Sequence, residues 1–179
     1  MKTRTATVVA MASMAFVAGC AHQAGNPPTV PDALKPSATE VLTLVTPATG
    51  VQIYECSAVK DQPARFEWAF KAPEAELFDR TGNRIGKHYG GPTWESNDGS
   101  KVVAQLKARD DGPDPNAIPW LLLSVKSASG SGVFGRTSSI QRVDTVGGNA
   151  PAAACGPAQA GSVARVPYQA TYYIYSPKP

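Results

Sequence analysis

The chain has 179 residues, of which 17 are basic and 14 acidic, so its formal net charge is +3. No basic stripe runs along it, which argues against a nucleic-acid partner. Its three cysteines and two histidines lack the number and spacing of a zinc site, and no glycine-rich phosphate loop occurs. We therefore expect no metal, no cofactor and no nucleic acid.

Residues 1–19 are predicted to be a signal peptide. Lys2 and Arg4 give a positive start, and residues 8–17 form an apolar run broken only by Ser13. A transmembrane anchor is a weaker alternative, because crossing about 30 Å of hydrocarbon takes about twenty apolar residues. The sequence therefore predicts export.

The end of this leader, Val-Ala-Gly-Cys at residues 17–20, resembles the lipobox of bacterial lipoproteins. The resemblance implies cleavage before Cys20 and acylation of its thiol and new amino group, although a plain signal peptide cut elsewhere is the alternative. Several acyl chains would anchor the protein stably. Ala21 then implies transfer to the outer membrane, where the protein would face the periplasm or the surface.

The two remaining cysteines, Cys56 and Cys155, are expected to form a disulfide, because two thiols in an oxidising compartment tend to pair. Two unpaired buried cysteines are the alternative.

Two regions follow the leader. Residues 20–39 are rich in Pro, Ala, Gly, Asn and Ser, and this composition predicts a flexible tether. Residues 40–179 have the length of one domain. Removal of Lys2 and Arg4 leaves 15 basic and 14 acidic residues, a net charge of +1.

The domain begins with patterns typical of β-structure. Residues 41–45 and 51–56 are apolar, β-branched runs, and they predict a hairpin joined by residues 46–50. In residues 65–71, three aromatic rings alternate with other residues and are expected to share one face of a sheet, with Trp68 in the core rather than on a ligand platform. Residues 72–79 fit either a short helical turn or a strand.

The later part of the domain has the same character. Residues 101–107 and 138–146 are predicted strands, and residues 118–125 are apolar without alternation, which indicates a strand covered on both faces. In the last strand Val166, Tyr168, Ala170, Tyr172 and Ile174 share one face. Eight or nine strands and no long amphipathic helix predict an all-β fold: one antiparallel β-sandwich or barrel-like domain with long loops.

The stretch richest in reactive side chains lies at residues 88–100. We expect His88, Tyr89, Trp94 and Glu95 to form a ligand-binding platform on a glycine-rich loop, since such loops carry much of protein function. The alternative is that Trp94 belongs to the core and Glu95 bonds the turn backbone.

Six segments together resemble a known family of secreted bacterial and fungal proteins, the family of domain of unknown function 3455. They are residues 50–56, 72–79, 86–95, 117–123, 140–148 and 168–175. The resemblance implies a secreted single domain with a cysteine pair, and it implies no catalytic residue.

These observations favour a non-catalytic binding or structural module of the cell envelope, with a small-molecule, glycan or protein ligand. The alternative is an envelope hydrolase that uses His88 or Glu95 as general base. The chain lacks a Gly-x-Ser-x-Gly elbow. A further possibility is a structural lipoprotein that contacts its partners through sheet edges.

Overall fold

The computed structural model of the protein describes residues 25–179. Eight antiparallel strands pair in chain order and the last pairs with the first, so the sheet closes into a barrel. The strands are β1 Glu40–Val59, β2 Gln62–Phe78, β3 Arg84–Tyr89, β4 Thr93–Ser96, β5 Lys101–Asp110, β6 Trp120–Ser129, β7 Ser139–Gly147 and β8 Val163–Pro177. The predicted all-β antiparallel class is confirmed.

The predicted leader and the predicted lipidation site at Cys20 lie outside the described residues, and both stay predictions. Within residues 25–179 there are two 3-10 turns, and neither is long or apolar enough to span a bilayer.

The first 3-10 turn, Asp32–Leu34, packs on the outside of the barrel against β5 and β6. Leu34 is fully buried, and its carbonyl accepts a hydrogen bond of 2.7 Å from Nε2 of Gln141. Oε1 of the same Gln141 accepts a hydrogen bond from the hydroxyl of Tyr175, also 2.7 Å long. The folded body therefore begins inside the segment that was expected to be a tether, because one leucine covers apolar surface of the barrel wall.

The hairpin predicted for residues 41–56 is wrong, because β1 runs through the whole segment and pairs with β8 on one side and β2 on the other. Pro47 lies just before the β2 pairing, which begins at Ala48. Gly50 is needed for close packing rather than for a turn, since a Cβ there would overlap the backbone of Glu74 and Ala75.

Residues 72–78 are strand and complete β2. Trp68 does not enter the core as expected, and neither do the other two rings of the first half of β2. Phe70 is 53% exposed, and Phe66 and Trp68 are only partly buried. The indole N–H of Trp68 donates to the carbonyl of Ala153, 3.0 Å away, in the loop after β7.

The core fills the barrel interior, and β8 contributes its alternating face as predicted: Tyr168, Ala170, Tyr172 and Ile174 are all buried. In β6 the consecutive residues Leu122 and Leu123 are both buried, which agrees with a strand covered on both faces. The other buried members of the core cluster are Ala48, Ala75, Leu77, Trp94, Val102, Ala104, Ile118, Phe134 and Ile140.

The barrel wall has a notch, because β3 and β4 are much shorter than their neighbours. β2 pairs with β3 only from Glu74 onward, and β5 pairs with β4 only up to Val103. The remaining parts of β2 and β5 extend past the turn between β3 and β4 without a strand between them. This notch opens the interior at one side of the barrel.

The predicted disulfide is confirmed. Cys56 and Cys155 are bonded with a sulfur–sulfur distance of 2.04 Å across a sequence separation of 99 residues. Cys56 lies in β1, while Cys155 lies in the long loop between β7 and β8. The bond therefore fixes this loop to the barrel wall.

We expect replacement of both Cys56 and Cys155 by Ser to lower the free energy of unfolding by roughly 2–5 kcal/mol, because the bond closes a long loop and restricts the unfolded chain. Urea titration measures this. A reductant should destabilise the wild type by a similar amount and leave the double variant unchanged. Equal stabilities of wild type and variant would contradict the expectation.

Candidate functional site

Strands β3 and β4 bring the singled-out residues together as a tight antiparallel pair. His88 lies directly opposite Trp94, and Tyr89 lies opposite Thr93. The connecting turn contains Gly91, whose φ of 112° is a conformation that side chains with a Cβ rarely adopt. The turn of this short hairpin borders the notch between β2 and β5.

His88 points into the barrel and is buried. Its ring stacks on Trp94 with 4.1 Å between centroids and meets Tyr172 edge to face at 5.1 Å. Nδ1 lies 2.8 Å from the carbonyl oxygen of Thr93, so Nδ1 carries the proton and Nε2 has a free lone pair. Burial is the main cause that lowers the pKa of His88 to about 3; the hydrogen bond to Thr93 opposes this shift, and the positive charge of Arg142 adds to it. The imidazole is therefore neutral at physiological pH.

Tyr89 and Glu95 lie on the outer face of the same hairpin. The Tyr89 hydroxyl donates to Oε2 of Glu95 at 2.6 Å, and Nζ of Lys87 lies 3.4 Å from Oε1. The hydrogen bond from Tyr89 lowers the pKa of Glu95, and the same bond raises the pKa of Tyr89. Glu95 is thus a solvated, ionised carboxylate.

The structure therefore divides the four expected ligand-binding residues between two faces. His88 and Trp94 face the interior, whereas Tyr89 and Glu95 face solvent, because successive residues of a strand point to opposite sides. One shared platform does not form, which corrects the expected geometry. Trp94 is 1% exposed and belongs to the core cluster. Glu95 bonds the Tyr89 and Lys87 side chains rather than the turn backbone.

The inner pair lines a cavity of about 300 Å³ that opens through the notch. Its walls are mainly apolar. Two large exposed hydrophobic residues, Phe70 of β2 and Leu106 of β5, are among the lining residues, on the two strands that flank the notch. The other lining residues are Lys71, Pro73, His88, Gly90, Gly91, Pro92, Trp94, Leu121, Leu123, Arg142 and Tyr172.

Arg142 is the functional candidate that the sequence did not reveal. It lies in β7 two residues after Ile140, which is in the core, so its side chain also points inward. Its Nε and Nη2 donate to the carbonyl of Pro119 at 3.2 and 2.7 Å. None of the ion pairs formed within residues 25–179 includes Arg142.

Tyrosines rather than acids surround this guanidinium. The hydroxyls of Tyr168 and Tyr172 lie 3.3 Å apart, and the hydroxyl of Tyr54 donates to the carbonyl of Gly148. Burial raises the pKa of all three, so they are neutral at physiological pH. The hydrogen-bonding side chains around Arg142 are therefore neutral.

The described residues contain no cluster of three or more His, Cys, Asp or Glu side chains that could hold a metal ion. Among the buried donors, the indole N–H of Trp94 has no acceptor in the described part of the protein. The site can therefore enclose an apolar molecule, and Arg142 is the lining residue whose N–H groups can donate to it.

We expect Trp94→Ala to lower the free energy of unfolding by about 3–5 kcal/mol, since it removes a large buried side chain of the core. Glu95→Gln is the matched control on the neighbouring residue, and it should change stability much less because Glu95 is solvated. Chemical denaturation of both variants measures the difference. Equal losses would mean that Glu95 has a structural role this geometry does not provide.

Neutral His88 makes stability depend on pH. The unfolded chain takes up a proton near pH 6.5 and the folded protein only near 3, so this stabilisation is complete above 6.5 and disappears as pH falls towards 3. Within that window the free energy of unfolding should rise by up to about 1.4 kcal/mol per pH unit more in the wild type than in His88→Gln. Urea titrations across the window measure both slopes.

Carboxylates with a lowered pKa do not obscure this effect, because they are the same in the wild type and in His88→Gln and cancel when the two slopes are compared. Hydrogen bonds from Thr81 and Asn83 hold the pKa of Asp79 at about 2, and hydrogen bonds from Ser100 do the same for Asp98. Their stabilisation is therefore lost only below pH 3.8. Parallel slopes for wild type and His88→Gln above that pH would show that His88 is not buried in its neutral form.

Comparisons with known proteins give a family. Searches of curated proteins and of solved structures found no match. A family model described as "Protein of unknown function (DUF3455)" matches residues 36–176, which include all of the barrel except the last residue of β8. The chain therefore belongs to the DUF3455 family.

Proposed function

We propose that this protein is a non-catalytic binding module that holds a small, largely apolar molecule in the notch cavity. The observation that supports this is the cavity itself, about 300 Å³ in volume and lined mainly by apolar side chains. Sites for small molecules are typically concave, mostly apolar and supplied with a few polar groups. An apolar ligand would cover Phe70 and Leu106, which are otherwise exposed to water.

We place this binding module in the bacterial cell envelope, attached to the outer membrane through acyl chains on Cys20. The lipobox-like residues 17–20 and the signal-peptide pattern before them support this placement. The disulfide supports it as well, because such bonds are typical of proteins that fold in oxidising compartments.

The hydrolase alternative has little support in this geometry. The proton-bearing nitrogen of His88 bonds a backbone carbonyl instead of an orienting carboxylate. A pKa of about 3 also makes His88 a weak base at neutral pH. Glu95 lies outside the cavity, bonded to Tyr89 and paired with Lys87.

We expect purified protein to bind N-phenyl-1-naphthylamine, a neutral apolar dye whose fluorescence rises when it leaves water. Leu106→Trp should weaken dye binding about tenfold or more, which corresponds to about 1.4 kcal/mol, because the larger ring occupies the cavity entrance. Val163→Trp is the matched control. Val163 is 60% exposed against 59% for Leu106, and it does not line the cavity.

The proposal fails if the wild type gives no saturable rise in fluorescence. It also fails if both tryptophan variants lose binding equally, since the dye would then bind elsewhere on the surface.

A further inference from the structure

We propose that the ligand of the notch cavity is an amphipathic carboxylate whose acid group pairs with Arg142. This inference rests on the proposed function and names the chemical class of its ligand. The apolar tail would contact Phe70, Leu106 and their neighbours at the entrance.

The first support is an uncompensated charge. Arg142 lines the cavity, and no aspartate or glutamate in residues 25–179 pairs with it. Arg142 is partly buried, and a partly desolvated cation without a counter-ion is stabilised when an anion pairs with it. The polar groups around Arg142 are the hydroxyls of Tyr54, Tyr168 and Tyr172 and the neutral ring of His88, none of which supplies a negative charge. An anionic ligand would supply it.

The second support is the number of donors. A guanidinium has five N–H groups, and the two bonds to the Pro119 carbonyl and the one to the Tyr172 hydroxyl leave others available. Those two bonds also fix the plane of the guanidinium at the cavity wall. A planar carboxylate matches a planar guanidinium, and the pair can form two parallel hydrogen bonds.

The third support concerns the size of the acid group. Lys71 is the other cation in the cavity lining, and its Nζ is already paired with Glu55 at 3.1 Å. A single available cation fits a singly charged acid. A phosphate monoester carries more charge than Arg142 alone neutralises. We therefore assign a carboxylate rather than a phosphate.

The test compares two molecules with the same tail, octanoate and 1-octanol, as competitors of N-phenyl-1-naphthylamine. In the wild type at neutral pH, octanoate should bind about tenfold or more tightly than octanol, because a hydrogen bond to a charged group is the stronger one. Arg142→Gln should remove this preference, so that octanoate binds no more tightly than octanol. Arg142→Lys should restore part of it. Lys71→Gln, the control for the second cation, should keep the preference.

Each result has a separate meaning. If octanol displaces the dye as well as octanoate does in the wild type, the carboxylate assignment is overturned while the apolar site stands. A preference that survives in Arg142→Gln overturns the role of Arg142. If the dye does not bind at all, the proposed function itself is wrong.

A measurement on the wild type covers the case in which Arg142→Gln does not fold. Octanoate affinity should fall to that of octanol when the pH is lowered through the pKa of the free acid, because the protonated acid carries no charge. Octanol affinity over the same range shows that the cavity persists. An octanoate affinity that does not change with pH would overturn the inference.

Discussion

Closure of a sheet whose strands differ greatly in length is the constraint on which the structure depends. β1 and β8 are long and pair with each other along most of their lengths, and this pairing makes the eight-stranded sheet a barrel. β3 and β4, with six and four residues, cannot reach the height of their neighbours. Because these two strands are short, the barrel wall has a gap at that point, and the interior is accessible there.

The notch divides the barrel interior into a part that is filled by side chains and a part that is open. Away from the notch, residues such as Leu77, Ile140 and Ile174 fill the space and stabilise the fold by burial. Beside it, the ring stack of His88 and Trp94 forms the floor, while Arg142 keeps a positive charge facing a cavity. The cavity thus lies in the part of the barrel that its own side chains do not fill.

Sequence patterns predicted the features that depend on local alternation and on cysteine pairing. The inward face of β8 and the Cys56–Cys155 bond are examples. They did not predict β1 as a single strand, because Pro47 and Gly50 are typical of turns and only contact with the β2 backbone shows why a glycine is needed. Arg142 was missed because one cation in a strand of mixed polarity normally faces water. Arg142 lies two residues after Ile140, so the sequence does indicate that the two side chains share one face of β7. Only the closure of the barrel shows that this face is the interior.

The 3-10 turn at Asp32–Leu34 has a consequence for how far the barrel could stand from a membrane. This turn is docked on the outer wall through Leu34, so the chain is fixed to the barrel from Asp32 onward rather than from Glu40. Only twelve residue steps separate Cys20 from Asp32, and a fully stretched chain of that length reaches at most about 40 Å. With acyl chains on Cys20, as proposed, the connection between the barrel and the membrane would be short. The protein would then bind its proposed ligand close to the lipid headgroups rather than in the middle of the periplasm.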